Sequence, residues 1–124
     1  MALDRPEIDF PEGEPPRYLD ITDITEGDGP EAVKGSTVSM HYVGVAFSTG
    51  EEFDASWNRG ATLDFELGSG RVIKGWDMGI QGMKVGGRRK LVIPPHLAYG
   101  SRSPSPAIKP NETLIFVVDL VAVS

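Results

Sequence analysis

The sequence predicts an α+β fold in which a twisted antiparallel sheet of five to six strands wraps around one short α-helix. Glycine (15 residues) and proline (10 residues) are abundant, which favours a turn-rich, largely β architecture. Several segments alternate apolar and polar residues with the period of a strand, and only residues 70–83 show helical spacing. A chain of 124 residues is typical of one domain and can bury a stable core without disulfides or a metal.

The N-terminal segment differs from the rest of the chain in composition. Residues 1–16 carry four prolines and five carboxylates, so they bury little apolar surface. The net charge is −8 over residues 1–32 and +2 over residues 33–124. We therefore expect a flexible, acidic, proline-rich leader over residues 1–16, followed by one folded domain over residues 17–124.

Six segments are predicted to be strands. The clearest is 36–47, which places Val38, Met40 and Tyr42 on one face. The last of the six segments, 112–123, is rich in β-branched residues, as is typical of a central buried strand. In order they are "YLDITDIT" (18–25, with Leu19, Ile21 and Ile24 apolar), "STVSMHYVGVAF" (36–47), a short strand around Phe53, "TLDFELG" (62–68), "RRKLVIP" (88–94) and "ETLIFVVDLVAV" (112–123).

The stretch "GRVIKGWDMGIQGM" (70–83) is the predicted helix, although its composition forms helix poorly. Each of its glycines 75, 79 and 82 costs about 1 kcal/mol relative to alanine inside a helix. Packing against a concave sheet must therefore hold it, and the small residues let its backbone approach that sheet closely. Its apolar stripe consists of Ile73, Trp76, Ile80 and Met83.

Composition also restricts the compartment and the partners. The chain has no cysteine, no apolar run of the ~20 residues that cross a membrane, and charges where a signal peptide needs apolar residues. The net charge of −6 disfavours nucleic-acid binding, and the basic cluster at 88–90 is interpreted as a solvated strand end. We expect a cytoplasmic monomer that binds neither membrane nor nucleic acid.

The motifs of several enzyme classes are missing. His41 and His96 lack the partners of a zinc site, and no G-x-S-x-G elbow supports a serine nucleophile. The glycines around 68–75 fit neither a phosphate loop nor a dinucleotide fingerprint. We expect no metal and no cofactor.

Many aromatic and branched residues accumulate at segment ends, and residue types alone leave two interpretations open. They can be ordinary core, or they can line a pocket. The hydroxyls of Tyr42 and Tyr99 favour a pocket, because a closed core uses a hydroxyl poorly unless it has a partner. Asp54 and Arg59 form either a charge pair beside apolar surface or a common surface pair.

Three stretches of the chain carry a family resemblance: "VSMHYVGVAFSTGEEFDAS", "VIKGWDMGIQGMKVGGRRKLVIPPHLAYG" and "NETLIFVVDLVAV". Together they resemble the FKBP family of macrolide-binding peptidyl-prolyl cis-trans isomerases. The match runs collinearly over about residues 17–124, and the family fold is the one expected above. The resemblance implies a rotamase active in protein folding, with proline-containing polypeptides and the macrolides tacrolimus and rapamycin as partners.

The resemblance also implies a site. Trp76 forms the floor of an apolar pocket under the prolyl ring, and the Ile73 N–H and the Tyr99 hydroxyl donate to ligand carbonyls. Asp54 lies at the rim, oriented by Tyr42 and Arg59. The implied catalytic residues are Tyr42, Asp54, Trp76, Tyr99 and Phe116. The implied binding residues are Tyr42, Phe53, Asp54, Arg59, Leu63, Val72, Ile73, Trp76, Tyr99, Ala107, Ile108 and Phe116.

Three residues depart from the pattern of the best-known single-domain members. Leu63 stands where an aromatic residue is common, Pro104 where histidine is frequent, and Ala107 where isoleucine is frequent. Ile108 is kept. These departures imply a pocket mouth that is more open and less apolar.

Three other functions remain alternatives. A non-catalytic module could hold prolyl peptides or a small ligand without turnover. A folding helper could hold unfolded chains, but only about ten residues separate Gly100 from Asn111, where chaperone-type members carry a large insertion. A structural protein without a site would leave the tyrosine hydroxyls unexplained.

Overall fold

The computed structural model describes residues 4–8, 11 and 13–124, and six strands and one α-helix form within them. The strands make one antiparallel sheet in the order β1-β5-β6-β2-β3, and β4 also pairs with β2. The predicted sheet of five to six strands on one short helix is confirmed. The bounds are β1 Asp20–Thr25, β2 Thr37–Ala46, β3 Glu52–Ala55, β4 Leu63–Glu66, α1 Lys74–Gly79, β5 Arg88–Ile93 and β6 Leu114–Val123, with short 3-10 helices at Ser56–Asn58 and Pro95–Leu97.

Strand β2 is the centre of the sheet because it pairs with three other strands. Its first half pairs with β4 and its second half with β3 along one edge, while β6 runs along the other edge. Gly44 of β2 lies opposite Phe116 of β6. This arrangement brings the ends of β2, β3 and β6 close to one another.

The two faces of the sheet differ, as the alternation in β2 predicts. Val38, Met40 and Tyr42 are buried in the main core between the sheet and α1. The opposite, outer face carries a smaller cluster of Val45, Val92 and Ile115, with Phe47 packed against it. A functional cavity that contacts the helix must therefore open from the main core.

Helix α1 is shorter than the spacing over 70–83 predicts. Ile73 has an extended backbone (φ −58°, ψ 149°), and Gly82 has a φ of +90°, which a right-handed helix does not allow. Only Lys74–Gly79 are helical. Gly75 and Gly79 face β5, where a β-carbon would meet the side chains of Ile93 and Leu91. The glycines thus let the helix backbone lie directly on the sheet.

The apolar residues Ile21 and Ile24 of the predicted first strand do not lie in the core. Strand β1 is at the edge of the sheet, and these side chains are 43% and 53% exposed. Only Leu19, just before β1, packs against the main core. An edge strand of this kind has little core to face.

The predicted leader falls partly outside the described residues, which omit 1–3, 9, 10 and 12. In its described part, Pro6 is buried and Ile8 packs against the outer-face cluster. Arg5 donates to Asn58 Oδ1 at 2.8 Å and pairs with Glu52. Flexibility of this leader remains a prediction. Among the described residues, no helix has the length and apolarity that a membrane crossing needs.

Candidate functional site

A cavity of about 220 Å³ opens between α1 and the concave face of the sheet. Five parts of the chain meet there: β2 with β3, the start of β4, the junction before α1 with the helix itself, the segment that follows Pro95–Leu97, and β6. The cavity is lined by Tyr42, Phe53, Asp54, Leu63, Arg71, Val72, Ile73, Trp76, Tyr99 and Phe116.

Trp76 forms the base of the cavity and is held there by other aromatic rings. Its ring centroid lies 5.0 Å from that of Tyr42 and 5.1 Å from that of Phe116, both in edge-on geometry. Phe65 lies beneath, at 5.9 Å. Only 4% of Trp76 is exposed. Because rings in contact on several sides cannot reorient freely, the base of the cavity is a rigid apolar surface.

The rim of the cavity carries a closed hydrogen-bonded ring of three side chains. The Tyr42 hydroxyl donates to Asp54 Oδ2 at 2.5 Å, and Arg59 donates to Asp54 Oδ1 at 2.9 Å and to the Tyr42 oxygen at 2.8 Å. The side chains of Asp54 and Arg59 are about half exposed. An exposed pair of this kind adds little stability, so its main effect is to fix the Asp54 carboxylate at the rim.

Both tyrosines of the cavity stay protonated at neutral pH. Burial raises the pKa of Tyr42, and the hydrogen bond to Asp54 raises it further. Burial and the charge of Asp54 also raise the pKa of Tyr99. Each side chain therefore keeps its O–H, and the described residues provide no hydrogen-bond partner for the hydroxyl of Tyr99. Tyr99 can donate to a carbonyl group inside the cavity.

A second donor lies at the start of α1. The carbonyl of Ile73 accepts hydrogen bonds from Trp76 N and Asp77 N, but within the described part of the chain its own N–H has no acceptor. Ile73 also lines the cavity. A polar ligand group can therefore bind this N–H at no cost to the fold.

The structure brings together most of the residues expected at the site. Tyr42, Phe53, Asp54, Leu63, Val72, Ile73, Trp76, Tyr99 and Phe116 all line the cavity, and Arg59 contacts two of them without lining it. Ala107 and Ile108 do not line it. Ile108 is buried in the main core, where Ser103 donates to its carbonyl at 2.6 Å and holds the loop.

Two residues of the site were not predicted from the sequence. Arg71 lines the cavity directly before Val72. Gly44 lies behind the wall, where a β-carbon would come within 2.7 Å of both Phe53 and Phe116. A glycine inside an otherwise apolar strand is a known sign of close approach, so "YVGVAF" contained a usable signal for Gly44. No comparable pattern marks Arg71.

A second cavity, of about 290 Å³, lies beside β1 and is unlike the first. Its lining is mainly polar and charged, and its most buried cation, Arg89, is already engaged by Asp23 and by the carbonyls of Gly79 and Gln81. This cavity contains no aromatic surface. The aromatic lining of the cavity above Trp76, together with the donors at its rim, makes that cavity the candidate site for an apolar ligand.

Comparisons with known proteins agree on one family. The family model described as FKBP-type peptidyl-prolyl cis-trans isomerase matches residues 29–121. The chain is 69% identical to an FK506-binding protein of Streptomyces anulatus over 99% of this chain and 100% of that one. It is 89% identical to a solved Mycobacterium tuberculosis chain assigned as peptidyl prolyl cis-trans isomerase FKBP12, covering 97% and 95% of the two chains, with a TM-score of 0.65. The crystal structure of AtFKBP13 gives a TM-score of 0.79 at 44% identity, covering 86% and 93%.

Proposed function

The chain belongs to the family of FKBP-type peptidyl-prolyl cis-trans isomerases, and we propose that it accelerates the isomerisation of X-Pro peptide bonds in the cavity above Trp76. The observation that carries this proposal is the combination of a rigid aromatic base with hydrogen-bond donors at the rim. An apolar base accommodates a proline ring, and the donors can hold the carbonyl groups on either side of it.

Rotation about an X-Pro bond is slow because the amide has partial double-bond character. The barrier is about 18–20 kcal/mol, although the two isomers differ by only about 0.5–1 kcal/mol. The planar amide is charge-separated and well solvated, whereas the twisted amide is less so. A cavity that removes water from the amide therefore raises the free energy of the planar form more than that of the twisted form.

Each part of the cavity has a role in this scheme. The ring of Trp76 holds the proline while the preceding carbonyl rotates, and contacts that strengthen in the twisted state lower the barrier. Tyr99 and the Ile73 N–H restrain the flanking carbonyls. Asp54, held by Tyr42 and Arg59, supplies a fixed negative charge at the rim. The scheme breaks no covalent bond, so it requires no nucleophile, metal or cofactor.

We also propose that tacrolimus and rapamycin bind in the same cavity. Its lining is largely apolar, and relatives of this chain carry the name FK506-binding protein. A macrolide bound above Trp76 excludes a prolyl peptide, so binding and isomerisation should compete.

The test measures cis-to-trans conversion of an X-Leu-Pro-Phe and an X-Ala-Pro-Phe peptide, with and without rapamycin. We expect acceleration that rapamycin abolishes. Asp54→Asn should lower kcat/KM by about three- to tenfold. Asp64→Asn should not, because Asp64 is an exposed carboxylate on β4 whose side chain accepts a hydrogen bond from Thr62, and it does not line the cavity. If neither peptide is accelerated by a folded protein, the isomerase proposal fails and a non-catalytic binding module becomes the better description.

A further inference from the structure

Arg71 is a charged side chain of the cavity that the site described above does not use. It lines the cavity directly before Val72 and Ile73, and it is exposed. Within the described part of the chain, no ion pair and no side-chain hydrogen bond involves its guanidinium group. The guanidinium is therefore available to a bound molecule.

The other charges at the cavity cancel one another. The negative charge of Asp54 is paired with the positive charge of Arg59 at 2.9 Å. Tyr42 and Tyr99 are neutral, because the pKa of each is raised. The net charge of the residues that line the cavity, counted together with Arg59, is therefore positive. This charge resides on Arg71.

The loop that follows the cavity residue Tyr99 carries only positive charge. The loop from Gly100 to Pro110, which follows Tyr99, contains Arg102 and Lys109 and no acidic residue. Both of these side chains are exposed. On the opposite wall, Asp64 and Glu66 of β4 alternate with Leu63 and Phe65, so they point away from the cavity.

We propose that Arg71 selects substrates in which a carboxylate lies next to the proline. Arginine suits this role because its planar guanidinium can bind a carboxylate through two parallel hydrogen bonds. The preferred substrates are thus acidic prolyl segments, with Asp or Glu directly before or directly after the proline. This inference rests on the proposed isomerase function and names a substrate class for that same cavity.

The experiment compares peptides that differ only in one charge. Two series of acetylated, amidated peptides carry Glu or its neutral isostere Gln, either before or after the proline, and lack any other charge. Exchange between cis and trans is followed by NMR, so no coupling protease is needed. The quantity compared is kcat/KM for the Glu peptide divided by kcat/KM for the matching Gln peptide. In this ratio, any general effect of a substitution on the activity of the protein cancels.

Three proteins are compared: wild type, Arg71→Gln and Lys74→Gln. Lys74 is the matched control because it is an exposed cation three residues away that does not line the cavity. In at least one series we expect the wild-type ratio to exceed one and to exceed the ratio of Arg71→Gln by about threefold or more. Lys74→Gln should keep the wild-type ratio. Raising sodium chloride from about 20 mM to about 0.5 M should bring the wild-type ratio toward that of Arg71→Gln, because salt screens an exposed charge.

The outcomes separate this inference from the function on which it rests. If all peptides are accelerated but both series give equal ratios in wild type and Arg71→Gln, the selectivity is overturned while the isomerase proposal stands. The selectivity is likewise overturned if Lys74→Gln changes the ratio as much as Arg71→Gln does. If no peptide is accelerated, the proposed function has failed, and the inference fails with it.

Discussion

Gly75 of the helix lies against Ile93 of β5 so closely that a β-carbon at residue 75 would overlap three carbons of the isoleucine side chain. Ile93 is fully buried and branched at its β-carbon, so it cannot move aside easily. This contact sets the distance between α1 and the sheet. It therefore also sets the depth at which Trp76, the next residue, enters the cavity.

Gly75→Ala should destabilise the protein even though alanine favours helix. The gain in helix propensity is about 1 kcal/mol, whereas overpacking a full core costs about 1–3 kcal/mol. We expect the urea midpoint to fall at an unchanged slope. Met78→Ala, at an exposed position of the same helix, should change the free energy of unfolding by less than about 0.5 kcal/mol. A more stable Gly75→Ala variant would contradict the close packing.

Gly44→Ala should impair the cavity more than the fold. The added methyl group would displace the rings of Phe53 and Phe116, which form one wall. We expect rapamycin affinity to fall by about tenfold, equivalent to about 1.4 kcal/mol, as measured by calorimetry. Ser39→Ala, on the opposite face of the same strand, serves as the control and should bind rapamycin as wild type does. Unchanged affinity in both variants would show that the wall tolerates the displacement.

The two tryptophans should report on different parts of the molecule. Trp76 forms the base of the cavity, whereas Trp57 stacks on His41 with ring centroids 4.5 Å apart, outside the cavity lining. In a Trp57→Phe variant, fluorescence should therefore change when rapamycin binds. In Trp76→Phe the remaining emission should stay constant at the same ligand concentrations. A response from Trp57 alone would place the ligand elsewhere.

Asp119 should make stability depend on pH in the direction opposite to a typical surface carboxylate. Burial raises the pKa of this carboxyl above its ordinary 3.8, although Arg88 and His41 both act to lower it. One of its oxygens, Oδ2, has no hydrogen-bond partner among the described residues. The folded state therefore binds more protons at this group than the unfolded chain. Its stabilising contribution is complete below pH 3.8 and is lost as the pH rises through the raised pKa.

Comparison with Asp119→Asn isolates this effect. The variant cannot ionise at residue 119, so the free energy of unfolding of wild type relative to the variant should fall as the pH rises above 3.8. The difference should become constant once the folded carboxyl is ionised. Urea titrations between about pH 3 and pH 7 measure it. A difference that grows with pH would mean that the ion pair with Arg88 outweighs burial.

Much of the fold could be predicted from local patterns. The alternation in 36–47 identified β2 and its two faces, and the β-branched run before Val123 identified the central strand β6. These predictions succeed because each face of a buried strand must match its surroundings residue by residue. Leu19 and Ile21 alternate in the same way, yet Ile21 is exposed, because alternation alone does not distinguish an edge strand from a strand that faces the core.

By itself, the sequence determined the fold class, which follows from periodicity. The family and the aromatic residues of the cavity were implied by the resemblance of three stretches of the chain to one family. Tertiary structure alone decided which side chains Gly75 and Gly44 meet, because those side chains come from other strands. It also decided where the helix ends, since the backbone turns out of the helical region at Ile73 and Gly82. It also decided that Arg71 enters the cavity while Ile108 is buried in the core. The physical reason is that the cavity is formed by segments far apart in sequence, so the register and distance between them select which side chains reach it.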